Sequence, residues 1–211
     1  MWGRRLARPA PDTDRERMST YIHRRVRRAG QITLLLAVCV AVAPSAASAQ
    51  TCAHANTPVP RATRHQLKRA VVCLINKQRT SRGLPRLHAN GRLDRSAQHW
   101  TDTMVERQIF THGSNFAGRI SAVGFDWSTA GENIAVGFET PYQVVKAWMA
   151  SLGHCQNILY PAFSQVGTGV LNRGIAGYGG AATWTQDFAL HMGRSAPSHN
   201  MGPADGCPYH I

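Results

Sequence analysis

From residue 64 onward the apolar positions fall into runs of two kinds. Leu67, Ala70, Val71, Leu74, Ile75 and Gln78 recur at helical spacing and predict a first helix from about Arg64 to Ser81, stopping near Gly83, with its Arg and Lys residues mostly off the stripe. Leu84-Pro85-Arg86-Leu87 reads as an extended connector. Asn90 is then a candidate N-cap for a second helix, with Leu93, Ala97, Trp100 and Met104 on one face and an end near Phe110. Residues 115–124 suit a short helical turn, 126–131 a loop, and 132–136 a strand or extended segment. Thr140, Pro141 and Gln143 supply an N-cap, a first-turn proline and a capping-box partner for a further helix burying Val144, Val145, Trp148, Met149 and Leu152.

The period then changes to two. Val166-Gly167-Thr168-Gly169-Val170 and the alternating Ala182, Trp184, Gln186, Phe188, Leu190 read as strands, joined through the glycine-rich 172–180 into an antiparallel pair. Helices first and a strand pair later predict an α+β class. The chain divides into residues 1–49, an irregular lead-in at 50–65, a domain at 66–191 and a tail at 192–211 rich in Gly, Pro and Ser.

The first fifty residues change the picture. Arg24, Arg25, Arg27 and Arg28, an apolar run from Ile32 to Ala43, and Ala47-Ser48-Ala49 follow the order of a secretory signal cut after Ala49, with Met1 or Met18 as the start. The run falls short of the roughly 20 apolar residues a membrane helix needs. Of 24 Lys+Arg, nine precede Gln50, and of 11 Asp+Glu, three do, so fifteen basic and eight acidic residues remain. Ten of those fifteen lie between Arg61 and Arg95, where Asp94 is the only acid. Such a face attracts anions such as lipid head groups or cell-surface polymers. Nucleic acid is not expected, because no aromatics interleave with the basic run. Four cysteines follow the cut, Cys52, Cys73, Cys155 and Cys207. In an exported chain they suggest disulfides, and spacing leaves three pairings open. We expect Cys52 with Cys73, tying the lead-in to the first helix, and Cys155 with Cys207, pinning the tail.

Candidate chemistry centres on residues 131–159. A Ser-His hydrolase is disfavoured: no Gly-x-Ser-x-Gly turn occurs, Gly153 is expected to interrupt the helix between Ser151 and His154, and no orienting acid is near in sequence. Neighbouring His154 and Cys155 would point apart on a helix. His112, Glu132 and His154 are the ligand types of an open zinc site, although their spacing is unlike a compact His-Glu-x-x-His motif.

A set of ordered motifs bears on this choice. Leu74-Ile75-Asn76-x-x-Arg79-x-x-x-Gly83-Leu84-x-x-Leu87-x-x-Asn90-x-x-Leu93 comes first, then Phe110-Thr111-His112 and Gly131-Glu132-Asn133-Ile134-Ala135. Trp148-Met149-x-Ser151-x-Gly153-His154-x-x-Asn157-Ile158-Leu159, Val166-Gly167-x-Gly169 and Trp184-Thr185-Gln186-x-Phe188 follow. Together they resemble the CAP superfamily of cysteine-rich secretory proteins, antigen 5 and pathogenesis-related 1 proteins, in its short bacterial branch, over about Gln66 to Leu190.

The resemblance implies an α-β-α sandwich with a three-stranded antiparallel sheet, and a cavity of two histidines and two acids that holds a divalent metal in some members. His112, Glu132 and His154 match three of these positions. Ser151 stands where the second acid would be, Cys155 replaces an arginine, and Gln186 matches a glutamine near the cavity. Zinc or another divalent metal is therefore expected to be weakly held. The expected function is a secreted, monomeric, non-catalytic binding module for a small apolar or lipid ligand or an anionic cell-surface polymer. A metal-dependent hydrolase is the alternative, and a purely structural domain a third reading.

Overall fold

The computed structural model describes residues 51–180, 182–196 and 206–207; the leader-like segment and most of the tail lie outside them. A capping box opens the first helix, α1 (Arg64–Thr80). The Thr63 side chain accepts from the Gln66 backbone N–H, and the Gln66 side chain takes the Thr63 N–H. α1 buries Leu67, Val71 and Ile75, each of which contributes roughly 1.5–3 kcal/mol by leaving water. It also buries Arg79 completely, which corrects the expectation that its cations stay off the apolar stripe only in this one place. A short strand, β1 (His88–Ala89), lies just past the Leu84–Leu87 connector, and a 3₁₀ turn, Val59–Arg61, lies in the lead-in.

Asn90 caps α2 (Gly91–Arg107) through its side-chain oxygen, which accepts from the N–H groups of Arg92 and Leu93. The helix ends earlier than expected because Gln108 takes a left-handed conformation (φ 52°). α3 (Phe116–Ala122) follows. β2 (Trp127–Val136) starts at Trp127, where a loop was expected up to Gly131, since pairing with a long partner strand overrides weak local propensity. α4 (Pro141–Met149) has the capping box expected of Thr140 and Gln143. A break at Ala150 then separates it from α5 (Leu152–Leu159), which contains Gly153, so Leu152 belongs to this next helix and Gly153 interrupts nothing.

β3 (Gln165–Leu171) and β4 (Thr183–His191) pair antiparallel, and β4 pairs antiparallel with β2. The expected three-stranded antiparallel sheet is therefore present, widened by β1 running parallel to β3 in the order β1-β3-β4-β2. Both faces of β4 are buried. One face carries α1, α4 and α5 over a continuous core that includes Trp148, Trp184, Phe163 and Phe188. The other carries α2, whose backbone comes so close to β3 that a Cβ on Gly167 or Gly169 would overlap the backbone at Leu93 or Ala97. Disulfides join Cys52 to Cys73 and Cys155 to Cys207. No described helix is long and apolar enough to cross a membrane.

Candidate functional site

β2 ends the sheet among the described strands, and the site lies along it. Strand alternation decides which side chains can meet. Glu132 faces α2 together with Ile134, while Gly131 and Asn133 face α5. An added Cβ on Gly131 would meet Phe163 and Asn157, and Asn157 Nδ2 donates to Glu132 O and Asn133 Oδ1.

The Glu132 side chain is only 1 % exposed, yet it is fully engaged. Its Oε1 lies 2.8 Å from His112 Nδ1, and its Oε2 accepts from Arg119 Nη2. His112 comes from the loop after α2 and Arg119 from α3. Arg119 is fixed from two further directions: Nη1 donates to His112 O at 3.1 Å, and the guanidinium stacks 3.9 Å from the centre of the Trp100 ring. An ionised Glu132 requires the His112 proton on Nδ1, which leaves Nε2 with its lone pair on a ring that is about half exposed.

His154 stands on α5, with Ser151 as the N-cap of that helix. The two were expected to be kept apart, but Ser151 Oγ lies 2.8 Å from His154 Nδ1, since Gly153 continues the helix. Burial first, and then the nearby His112, lower the His154 pKa, so its ring favours the neutral form.

Gln186 does not face Glu132. Its register partner is Asn133, next to Glu132 on the strand, so it occupies the opposite face, fully buried, with Asn133 Nδ2 3.4 Å from its Oε1. The residue that does face Glu132 across the strand pair is Asp187, which sequence reasoning missed. It is 1 % exposed, and neither carboxyl oxygen has a partner in good hydrogen-bond geometry, although Ser96 and Glu132 lie close enough to interact with it. Burial and then the Glu132 charge push its carboxyl well above the ordinary range, toward the protonated acid. The only sequence signal was Asp187 inside an alternating run; Arg119 gave none.

Comparison with known proteins bears on the family and the fold. Residues 72–188 match the profile of CAP, the cysteine-rich secretory protein family. The chain belongs to that family. It is 38 % identical over 125 residues to the uncharacterized protein YkwD of Bacillus subtilis, covering 57 % of this chain and 46 % of that one, so it spans less than half of the relative's length. Among solved structures it is similar to an extracellular protein containing an SCP domain from Bacillus anthracis. There the TM-score is 0.52 at 23 % identity, over 61 % of this chain and 44 % of the other. It is also similar to an outer surface protein from Borrelia burgdorferi, with a TM-score of 0.51 at 20 % identity over 57 % and 90 %. At these identities the structures establish the CAP fold alone.

Two imidazoles offer Nε2 atoms, but both Glu132 oxygens are taken and Ser151 Oγ is shared with His154. Among the described residues no group of three or more His, Cys, Asp or Glu is gathered to hold an ion. What the arrangement leaves without a hydrogen-bond partner is the Nε2 of each imidazole, with Glu132 behind His112 as the carboxylate that holds its Nδ1.

Proposed function

We propose that this CAP domain works outside the cytoplasm as a binding module, and that the β2-edge cluster presents His112 and His154 to a weakly bound, exchangeable divalent cation or to a ligand that brings one. The observation that carries this reading is the engagement of Glu132. A carboxylate locked between a histidine and an arginine orients and neutralises its neighbours and is not free to act as a general base. Ser151 and His154 are in contact, yet no acid among the described residues orients His154, and their contact is the local one of an N-cap with its first helical turn. Export is supported by the leader-like first residues, by the two disulfides and by the extracellular character of the B. anthracis relative.

Bound there, a divalent ion would supply Lewis acidity or a bridge to an anionic group. This chain's part is to hold two imidazoles in fixed orientations. For His154 that means Nδ1–H donating to Ser151 Oγ, so that Nε2 is free. Titration calorimetry with zinc on the wild type, His112→Ala and His154→Ala tests the reading: each alanine should abolish measurable uptake, and Ser151→Glu should tighten it by replacing a neutral oxygen with a charged one. Equal uptake by wild type and both alanine variants, or turnover of ester or peptide substrates that disappears with His154→Ala, would overturn it.

A further inference from the structure

The strongest unassigned feature is a cavity of about 670 Å³ between the lead-in, α1 and the start of α2, away from the β2 edge. His54, His65, Lys68, Arg69, Arg86 and Asp94 are among its lining residues. Its single acid is already used. Asp94 Oδ1 accepts from the Thr168 N–H at 2.8 Å, and Oδ2 pairs with Lys68 Nζ at 3.6 Å. Arg69 and Arg86 are exposed and have no acid partner among the described residues. Two guanidinium groups thus border one solvent-open cavity with no acid partner among the described residues.

The walls are held in place. The Cys52–Cys73 disulfide ties the lead-in to α1, with Cys73 itself in the lining. His54 sits at a fixed left-handed turn (φ 60°), bracketed by Ala55 N–H to Cys52 O and Thr57 N–H to His54 O. The Tyr142 N–H donates to Ala55 O at 2.8 Å and anchors the turn to α4. A pocket whose lead-in wall is locked by a covalent link and three backbone bonds loses little backbone entropy when a ligand enters.

We propose that this cavity is a second binding site, for a phosphate-bearing polyol chain. Guanidinium forks match the oxygen geometry of phosphate. The volume is that of a whole small molecule, so it accommodates more than one ion. No Phe, Tyr or Trp lines it, which removes the stacking platform a nucleobase would use, and its apolar members are the small Ala53, Val72 and Ala89, too little surface for an acyl chain. Arg61, Arg64, Arg92 and Arg95, exposed on the same stretch of sequence, lengthen the positive field and suit a ligand with repeated charges.

The test is binding by calorimetry at low salt, with the folded, disulfide-bonded protein, of a glycerol phosphate oligomer, inorganic phosphate and phosphatidylglycerol vesicles. The oligomer should bind more tightly than inorganic phosphate, weaken with added salt, and lose roughly tenfold in affinity for each of Arg69→Gln and Arg86→Gln. Arg107→Gln, at the far end of α2, and His112→Ala should leave it unchanged, the latter separating this site from the β2 edge. Binding of the oligomer no tighter than that of phosphate, retention in the Arg69→Gln/Arg86→Gln double variant, or saturable binding to vesicles that the oligomer does not displace would each overturn the proposal.

Discussion

The two faces of the sheet are built on different terms. Under α1, α4 and α5 a single apolar cluster runs from Val59 to Phe188 without a break, and both disulfides lie on that side. Under α2 and α3 the apolar residues form two small groups, one around Leu93, Ile120 and Phe125 and one around Met104, Val105 and Ile134. Between them runs a polar seam: Ser96, Thr101, Thr185, Asp187 and Glu132. Thr101 and Thr185 bond to each other at 2.9 Å, but Ser96 Oγ, Arg119 Nε and both Asp187 oxygens have no partner in good hydrogen-bond geometry. The closed face is where stability is made. The split face is where buried polarity is tolerated at a cost, and the His112, Glu132 and Arg119 part of the candidate site lies there, whereas Ser151 and His154 stand on α5 of the closed face.

The contrast is sharpest in how each face treats a buried charge. Arg79, on the closed face, is surrounded by carbonyls: Nε donates to Pro85 O, Nη1 to Ile158 O and Tyr160 O, and Nη2 to Phe163 O. Burial pushes its pKa down to about 10, which leaves it charged at neutral pH. Arg79→Ala would orphan four carbonyls and open a cavity, so we expect the largest loss, about 4 kcal/mol, read by denaturant unfolding. Arg79→Lys should recover little, since one ammonium cannot span four carbonyls. A loss below about 1 kcal/mol would show that the closed face does not depend on this hub.

Next in size, removing the Cys155–Cys207 link, which closes 52 residues, should cost about 4 kcal/mol in the chain-entropy account, and the Cys52–Cys73 link, across 21, about 3 kcal/mol. Loss of the Cys52–Cys73 link should leave zinc uptake at the β2 edge unaltered, whereas loss of the Cys155–Cys207 link should weaken it, because Cys155 is the neighbour of His154 on α5.

On the split face the sign reverses. Asp187 has a raised pKa in the folded state, so its favourable contribution is present below the ordinary carboxyl value and is lost as pH rises through the folded one. Asp187→Asn removes the repulsion with Glu132 and should stabilise the protein at neutral pH by about 1 kcal/mol, a Tm rise of roughly 2–4 °C for a domain of this size. The gain should vanish in acid, and a destabilised variant at pH 7 would mean that Asp187 has a partner worth more than the repulsion.

The smallest effect belongs to His154. Burial lowers its pKa, so as pH falls below the ordinary histidine value the unfolded chain takes up a proton first and stability declines toward the lowered folded value. His154→Gln should flatten that slope in unfolding curves just below the ordinary histidine value. NMR titration should show His154 charging at lower pH than a free histidine.

Much of this was legible along the chain. Periods of 3.6 and 2 marked α1, α2, α4, β3 and β4, because a stripe facing one core leaves a local signature, and Thr140-Pro141-x-Gln143 fixed the start of α4, because caps are made by neighbours. His112, Glu132 and His154 could be named from ordered motifs. Other features depended on distant partners. Trp127 to Ala130 are strand because β4 pairs with them, and Arg79 is buried because carbonyls from residues 85, 158, 160 and 163 converge on it. Asp187 meets Glu132, and Gln186 does not, because the β2–β4 register puts odd and even positions on opposite faces. Composition and local pattern thus determined which segments would be helix or strand and which residues could carry chemistry. Only the tertiary structure decided which of them met, because contacts between residues 20 to 80 positions apart are set by strand register and helix packing, and neither leaves a mark on the residues nearby.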